Sequence, residues 1–196
     1  MRKDKGTMRV IIADDEPITR MDLREMLEKE GYEVIAEAAD GFDAVEMCRK
    51  ECPELVIMDV KMPLLDGLMA SSIIAEENLA ETVVLITAYN DREFIDVAKK
   101  SGVSGYLMKP LNERSLIPAL EIAVERSCEM RSLRKEYNTL AQRLESRILV
   151  EQAKGVIMSR RGLAEQEAYE YIRNISRIKN ISMKKIAEII LMRRGK

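Results

Sequence analysis

Between residues 8 and 126, short apolar runs rich in β-branched residues alternate with segments of helical period. This alternation constrains the fold more than any other feature of the chain. The runs are residues 8–13 (MRVIIA), 32–38, 55–58, 82–87 and 105–108. Between them, residues 17–30 place Ile18, Met21, Leu23, Met26 and Leu27 at helical spacing, and residues 41–50 turn Ala44, Val45 and Met47 to one side. Further helices are predicted at about 67–77, 91–100 and from 113 onward. Strands joined by helical crossovers pair in parallel, and runs without polar alternation are covered on both faces. The predicted class is therefore α/β, a doubly wound five-stranded parallel sheet over residues 8–126. Such sheets carry their sites beyond the carboxyl ends of the strands.

From about 114 to 159 nothing interrupts a helix after Pro118, which a first helical turn tolerates. Leu116, Leu120, Ala123, Ser127 and Met130, then Leu133, Tyr137, Leu140, Leu144 and Ile148, keep a 3–4 spacing with one irregular step between Met130 and Leu133. That is a coiled-coil seam, with residues 114–150 as a linker helix shared by both halves. A helix of ~45 residues spans nearly 70 Å, at about 1.5 Å per residue. A small domain cannot cover such a stripe. A second copy of the chain is the expected cover, and a helix folded back on its own chain is the alternative. Gly162 ends this helix. Residues 165–178 (Ala168, Tyr169, Ile172, Ile175) and 183–193 (Ile186, Ala187, Ile189, Ile190) form two more, with Ser182 as an N-cap. The C-terminus is read as a small three-helix bundle.

Charge divides the chain at the same place. Residues 1–121 hold 15 Lys+Arg against 25 Asp+Glu, a net −10, whereas residues 122–196 hold 17 against 9, a net +8. Such a split implies two tasks and a nucleic-acid or acidic partner for the basic half, unless the halves simply attract one another. The chain has no histidine, which excludes histidine-based catalysis and histidine-ligated metal. Cys48 and Cys52 lie one helical turn apart, but two thiolates without further ligands make a poor zinc site. With Cys128 they read as reduced thiols of a cytoplasmic protein. No apolar run approaches the ~20 residues of a membrane span. The basic start, MRKDKGTM, leads into a strand rather than a signal-peptide core.

Acids and their partners fall where the strand ends converge. Asp14 and Asp15 follow the first strand, Asp59 ends the third, Thr87 ends the fourth and Lys109 follows the fifth. Three carboxylates in one crevice repel and need a cation. Oxygen ligands suit Mg²⁺. An aspartate beside a metal, a lysine and a hydroxyl can accept a phosphoryl group.

The motifs "IIADDE" (11–16), "VIMDVKMPLLDG" (56–67), "LITAYND" (85–91) and "GYLMKPL" (105–111) together make this region resemble a response-regulator receiver domain. The resemblance implies a flavodoxin-like fold, with Asp59 as phosphoacceptor for a sensor histidine kinase. It implies that Asp14, Asp15, Asp59 and the backbone carbonyl of Lys61 hold Mg²⁺. Thr87 and Lys109 would contact the phosphoryl group, Tyr106 would rearrange with Thr87, and Pro63 and Gly67 would shape the loop after Asp59.

The C-terminal stretches "SRILVEQAKGVIMSRRGLAEQEAYEYIRNIS" (146–176) and "IKNISMKKIAEIIL" (178–191) are similar to the ANTAR domain, an RNA-binding antitermination module, here over about 139–194. Within that family, the layout with an intact receiver suits the antiterminator of ethanolamine-utilisation operons. Lys and Arg supply affinity for phosphates, and planar groups stack on splayed bases. The candidate RNA contacts are Lys154, Gly155, Arg160, Arg161, Tyr169, Arg173, Lys179, Lys184 and Lys185. Gly155 inside a helix costs ~1 kcal/mol relative to Ala. Either tight helix packing or close approach by RNA would account for it. Tyr169 is equally readable as core.

The expected function is a non-enzymatic two-component regulator that dimerises on phosphorylation and grips hairpin RNA in nascent transcripts, preventing termination. The alternative is a DNA-binding response regulator, although residues 183–193 offer few base-reading side chains. A third reading is a protein-docking module whose bundle binds an acidic protein.

Overall fold

The computed structural model describes residues 7–88 and 102–192. The helix expected at 91–100, and Arg193 and Arg194, lie outside the described residues. The elements run β1 (Arg9–Ala13), α1 (Pro17–Lys29), β2 (Glu33–Ala38), α2 (Gly41–Glu51), β3 (Leu55–Asp59), α3 (Gly67–Glu76), β4 (Thr82–Thr87), β5 (Gly105–Met108), α4 (Glu113–Arg161), α5 (Glu165–Lys179) and α6 (Met183–Met192). They form two compact units, one up to Arg131 and one from Ser132, with α4 running through the boundary.

In the first unit all five strands are parallel, in the order β2-β1-β3-β4-β5. The order doubles back at β1, so the chain winds helices onto both faces and the β1 and β3 carboxyl ends open a crevice between them. One face buries Ile11, Val56, Met58 and Leu85 with Ala44, Val45 and Cys48 of α2 and Ala70 and Ile74 of α3. The other buries Val10, Ile12, Ile57 and Ile86 with Leu23 and Leu27 of α1 and Leu116, Leu120 and Ala123 of α4. β3 and β4 are buried along their whole length, which explains why those runs carry no polar alternation.

Local signals set the helix ends. The Asp40 and Asp66 carboxylates cap α2 and α3, accepting from the backbone N–H groups of Asp43 (2.9 Å) and Met69 (2.8 Å). Gly162 stops α4 in the left-handed region, with φ +67°. Ser182 caps α6 through the Lys185 N–H at 3.3 Å, as its sequence position implies.

In the second unit Ala153 and Ile157 of α4 pack with Ala168 and Ile172 of α5 and Ile186 and Ala187 of α6. Upstream, Leu133, Tyr137, Leu140 and Leu144 of α4 are 56–72% exposed. The fold-back alternative therefore has no support among the described residues. Ser127, by contrast, is buried, and its hydroxyl shares a 2.6 Å hydrogen bond with that of Ser104. The irregular spacing between Met130 and Leu133 falls at the boundary of the two units. Upstream of it the seam is receiver core from Leu116 to Ser127, and from Met130 onward it is uncovered.

Candidate functional site

The first site forms at the carboxyl ends of β1 and β3 and the residue after β5. Asp14 is fully buried and Asp59 is 8% exposed, while Asp15 faces solvent. One carboxylate oxygen from each lies within 4.8 Å of the others, close enough to share one cation. Lys109 reaches into the same space, and its Nζ donates to Asp14 Oδ2 at 2.8 Å and Asp59 Oδ2 at 3.0 Å. The Lys109–Pro110 peptide is cis.

The electrostatics follow from burial and pairing. Burial pushes the Asp14 carboxyl above its ordinary value, against the hydrogen bond from Lys109 and a second from the Glu16 N–H. Burial alone would lower Lys109, but its hydrogen bonds to Asp14 and Asp59 outweigh that, and its ammonium is held above the usual lysine range. A crevice that strains carboxylates while a lysine steadies them suits a divalent cation with oxygen ligands.

The other receiver candidates lie on β4, on β5 and in the loop after β3. Thr87 ends β4, is buried, and its carbonyl accepts from the Lys109 N–H at 2.8 Å. Tyr106, opposite Leu85 in register, is half-buried against the α2–α3 face. Lys61 is exposed, two residues beyond Asp59. The loop after Asp59 closes by hydrogen bonds from the Leu65 N–H to the Pro63 carbonyl (2.7 Å) and from the Gly67 N–H to the Val60 carbonyl (2.8 Å). A Cβ at Gly67 would overlap the backbone carbonyl oxygen of Asp59.

Sequence reasoning missed Arg20. Its guanidinium donates to the Asp14 backbone carbonyl at 2.6 Å and to Glu37 at 3.3 Å, while Arg24 holds the same Glu37 at 2.6 Å. This brace holds the β1–α1 loop from outside. No spacing in the sequence marks it, because Glu37 arrives through sheet pairing.

In the second unit the predicted cations differ sharply in their surroundings. Lys154 is 7% exposed and clamped between Glu151 (2.8 Å) and Glu165 (2.7 Å). Those hydrogen bonds raise its pKa, and its own hydrogen bond lowers that of Glu165. In this conformation Lys154 ties α4 to α5 rather than facing a ligand. Lys184 pairs with Glu145 at 2.7 Å, Arg173 with Glu170 at 3.1 Å and Lys185 with Glu188 at 3.0 Å. Arg161 lies 4.4 Å above the ring of Tyr171, an aromatic the sequence did not single out. Arg160, Lys179 and Tyr169 are exposed. Gly155 is exposed too, and a Cβ there would meet nothing within 4 Å, so packing within the chain does not require a glycine. It lines a groove of about 360 Å³ with Gln152, Val156, Ser159 and Arg160.

No helix among the described residues is long and apolar enough to cross a membrane.

Comparison with known proteins identifies the two domains. Residues 10–121 match the response regulator receiver domain and residues 138–191 match the ANTAR domain. The chain belongs to the response regulators, with a receiver domain followed by an ANTAR domain, a class of non-enzymatic signalling and RNA-binding proteins. Among its relatives, the transcriptional regulatory protein PdtaR of Mycobacterium tuberculosis is 46% identical over 183 residues, covering 93% of this chain and 89% of the relative. The chemotaxis protein CheY of Halobacterium salinarum is 38% identical over 111 residues, covering 57% of this chain and 92% of its own length. A LuxR-family two-component response regulator from Aurantimonas sp. superposes with TM-score 0.57 at 32% identity, over 61% of this chain and 86% of that one.

Proposed function

We propose that this chain is a phosphorylation-controlled antiterminator: Asp59 takes a phosphoryl group from a sensor histidine kinase, two chains pair along α4, and their basic bundles hold hairpin RNA in a nascent transcript. The observation that carries this reading is the uncovered apolar stripe from Leu133 to Ile148, on the one helix shared by a phosphorylatable pocket and an ANTAR bundle.

The chemistry at the pocket follows from its residues. The Asp59 carboxylate attacks phosphorus as the phosphorus–nitrogen bond of the kinase's phosphohistidine breaks, and the bonding pair returns to the ring nitrogen. Lys109, already on Asp59, pairs with the transferred oxygens. Asp14, Asp15, Asp59 and the Lys61 carbonyl are the groups that would hold Mg²⁺, which when bound offsets negative charge on the transferring group. The aspartyl phosphate adds about −1.5 to −2 charge and three acceptor oxygens. Thr87 and Lys109 follow those oxygens, and Tyr106 on the neighbouring strand follows Thr87. Two paired bundles gripping two loops of one RNA raise the effective concentration of the second contact.

The DNA-binding reading finds less support. α6 buries Ile186 and Ala187, with Ile190 and Leu191 half-buried, leaving few polar side chains to read bases. Gel shifts at matched salt with paired-hairpin RNA and duplex DNA separate the two readings. Light scattering tests the switch: wild type with beryllofluoride is expected to pair, and Asp59→Asn is not. Equal pairing in both sinks the proposal.

A further inference from the structure

Along α4 the exposed face changes character after Ile148. From Leu133 to Ile148 it is apolar, whereas over the next three helical turns the same face presents Gln152, Gly155 and Ser159. A seam between two copies needs knobs to bury, and a glycine flanked by glutamine and serine supplies none. Nor does this chain need the glycine: it is helical, without positive φ, and a Cβ would meet only open space. The residue therefore keeps backbone open to something outside the chain. The groove it lines is about 360 Å³, is lined also by Gln152, Val156, Ser159 and Arg160, and lies in the basic half of the chain.

We infer that this groove is a nucleobase subsite: one unpaired base of the hairpin loop lies flat on Gly155, and Gln152 and Ser159 read its edge. The inference rests on the RNA-binding reading above and adds where base identity is recognised. A glutamine amide offers one donor and one acceptor side by side, the pattern that matches an adenine edge. The serine hydroxyl takes either role. Arg160, at the end of the groove, supplies positive charge toward the adjoining phosphate. Phosphate contacts elsewhere on the bundle position the RNA without reading it, so the groove carries specificity rather than bulk affinity.

The test uses the full-length chain with beryllofluoride and a paired-hairpin RNA in which each loop position carries each of the four bases. Gly155→Leu fills the groove and is expected to lower affinity for the preferred RNA at least tenfold, with helicity and self-association unchanged. Gln152→Ala is expected to reduce discrimination at one loop position by about tenfold, as for loss of a bidentate base contact, while the salt dependence of binding stays the same. If wild type binds the hairpins but both variants bind with its affinity and base preference, the subsite is overturned and RNA binding stands. If Gly155→Leu alters self-association and leaves RNA affinity intact, the groove belongs to a second copy and the inference is overturned. If wild type binds no hairpin RNA, the RNA-binding reading itself falls, and the subsite with it.

Discussion

In the N-terminal unit Gly67 opens α3 where any Cβ would overlap the carbonyl oxygen of Asp59; in the C-terminal unit Gly155 sits in α4 where a Cβ would meet nothing. The first glycine is demanded from within the fold and the second is not. The same contrast runs through the charged groups. Asp14, Asp59 and Lys109 converge on one another in a buried crevice. The cations of the bundle are spread over three helices, and several are already engaged by neighbouring glutamates. A pocket that does chemistry must concentrate its groups, whereas a surface that holds a polyanion distributes them.

The comparison can be broken most decisively at Asp59. Replacing it with Ala is expected to abolish incorporation of phosphate from a kinase or small phosphodonor, measured as hydroxylamine-labile radiolabel, with the bundle's RNA affinity in the unphosphorylated state unchanged.

The glycine pair comes next. Gly67→Ala is expected to cost about 1–3 kcal/mol by overpacking against the Asp59 backbone, and to slow phosphorylation. Gly155→Ala is expected to raise stability by about 0.5–1 kcal/mol. Denaturant titrations of both variants measure the difference in sign, and a destabilised Gly155→Ala would mean that the open space is filled in the folded chain.

A smaller effect is expected at Lys154. Its hydrogen bond lowers the Glu165 pKa, so the pair contributes stability that is present at neutral pH and lost as pH falls through the depressed folded value, below the usual carboxylate range of about 4. Lys154→Met is expected to lower the melting temperature at pH 7 and to flatten its fall toward acid. An unchanged acid profile would show that the clamp is not formed in solution.

The smallest effect concerns Cys48. Burial pushes its thiol up to about 12 from an ordinary 9.0. Its contribution is complete below the unfolded value and is lost as pH rises from about 9 toward 12. In the native chain a thiol reagent at pH 8 is expected to label Cys52 and Cys128, both exposed, before Cys48. Equal labelling of all three would contradict the burial.

The acidic pocket was legible because each of its residues sits at a strand end, and parallel topology sends all those ends to one side of the sheet. Arg20 was not legible, since the register of β1 on β2 brings Glu37 to it. In the bundle, the Leu133–Ile148 stripe was visible as periodicity, and so were the helix ends at Gly162 and Ser182. Lys154 looked like an outward cation because sequence spacing does not show that Glu165, eleven residues on, returns to meet it.

By itself, then, the sequence determined the alternating α/β layout, the charge split, the convergence of Asp14, Asp15, Asp59 and Lys109, and the two-domain family. Periodicity and residue type at element ends are local properties, and local properties survive in a linear string. Only the tertiary structure decided which half of the α4 seam is covered, which cations are already paired, that Arg20 braces the Asp14 loop, and that Gly155 faces open space. Each of those depends on what a distant segment brings into contact, and helix and strand propensities do not encode that distance.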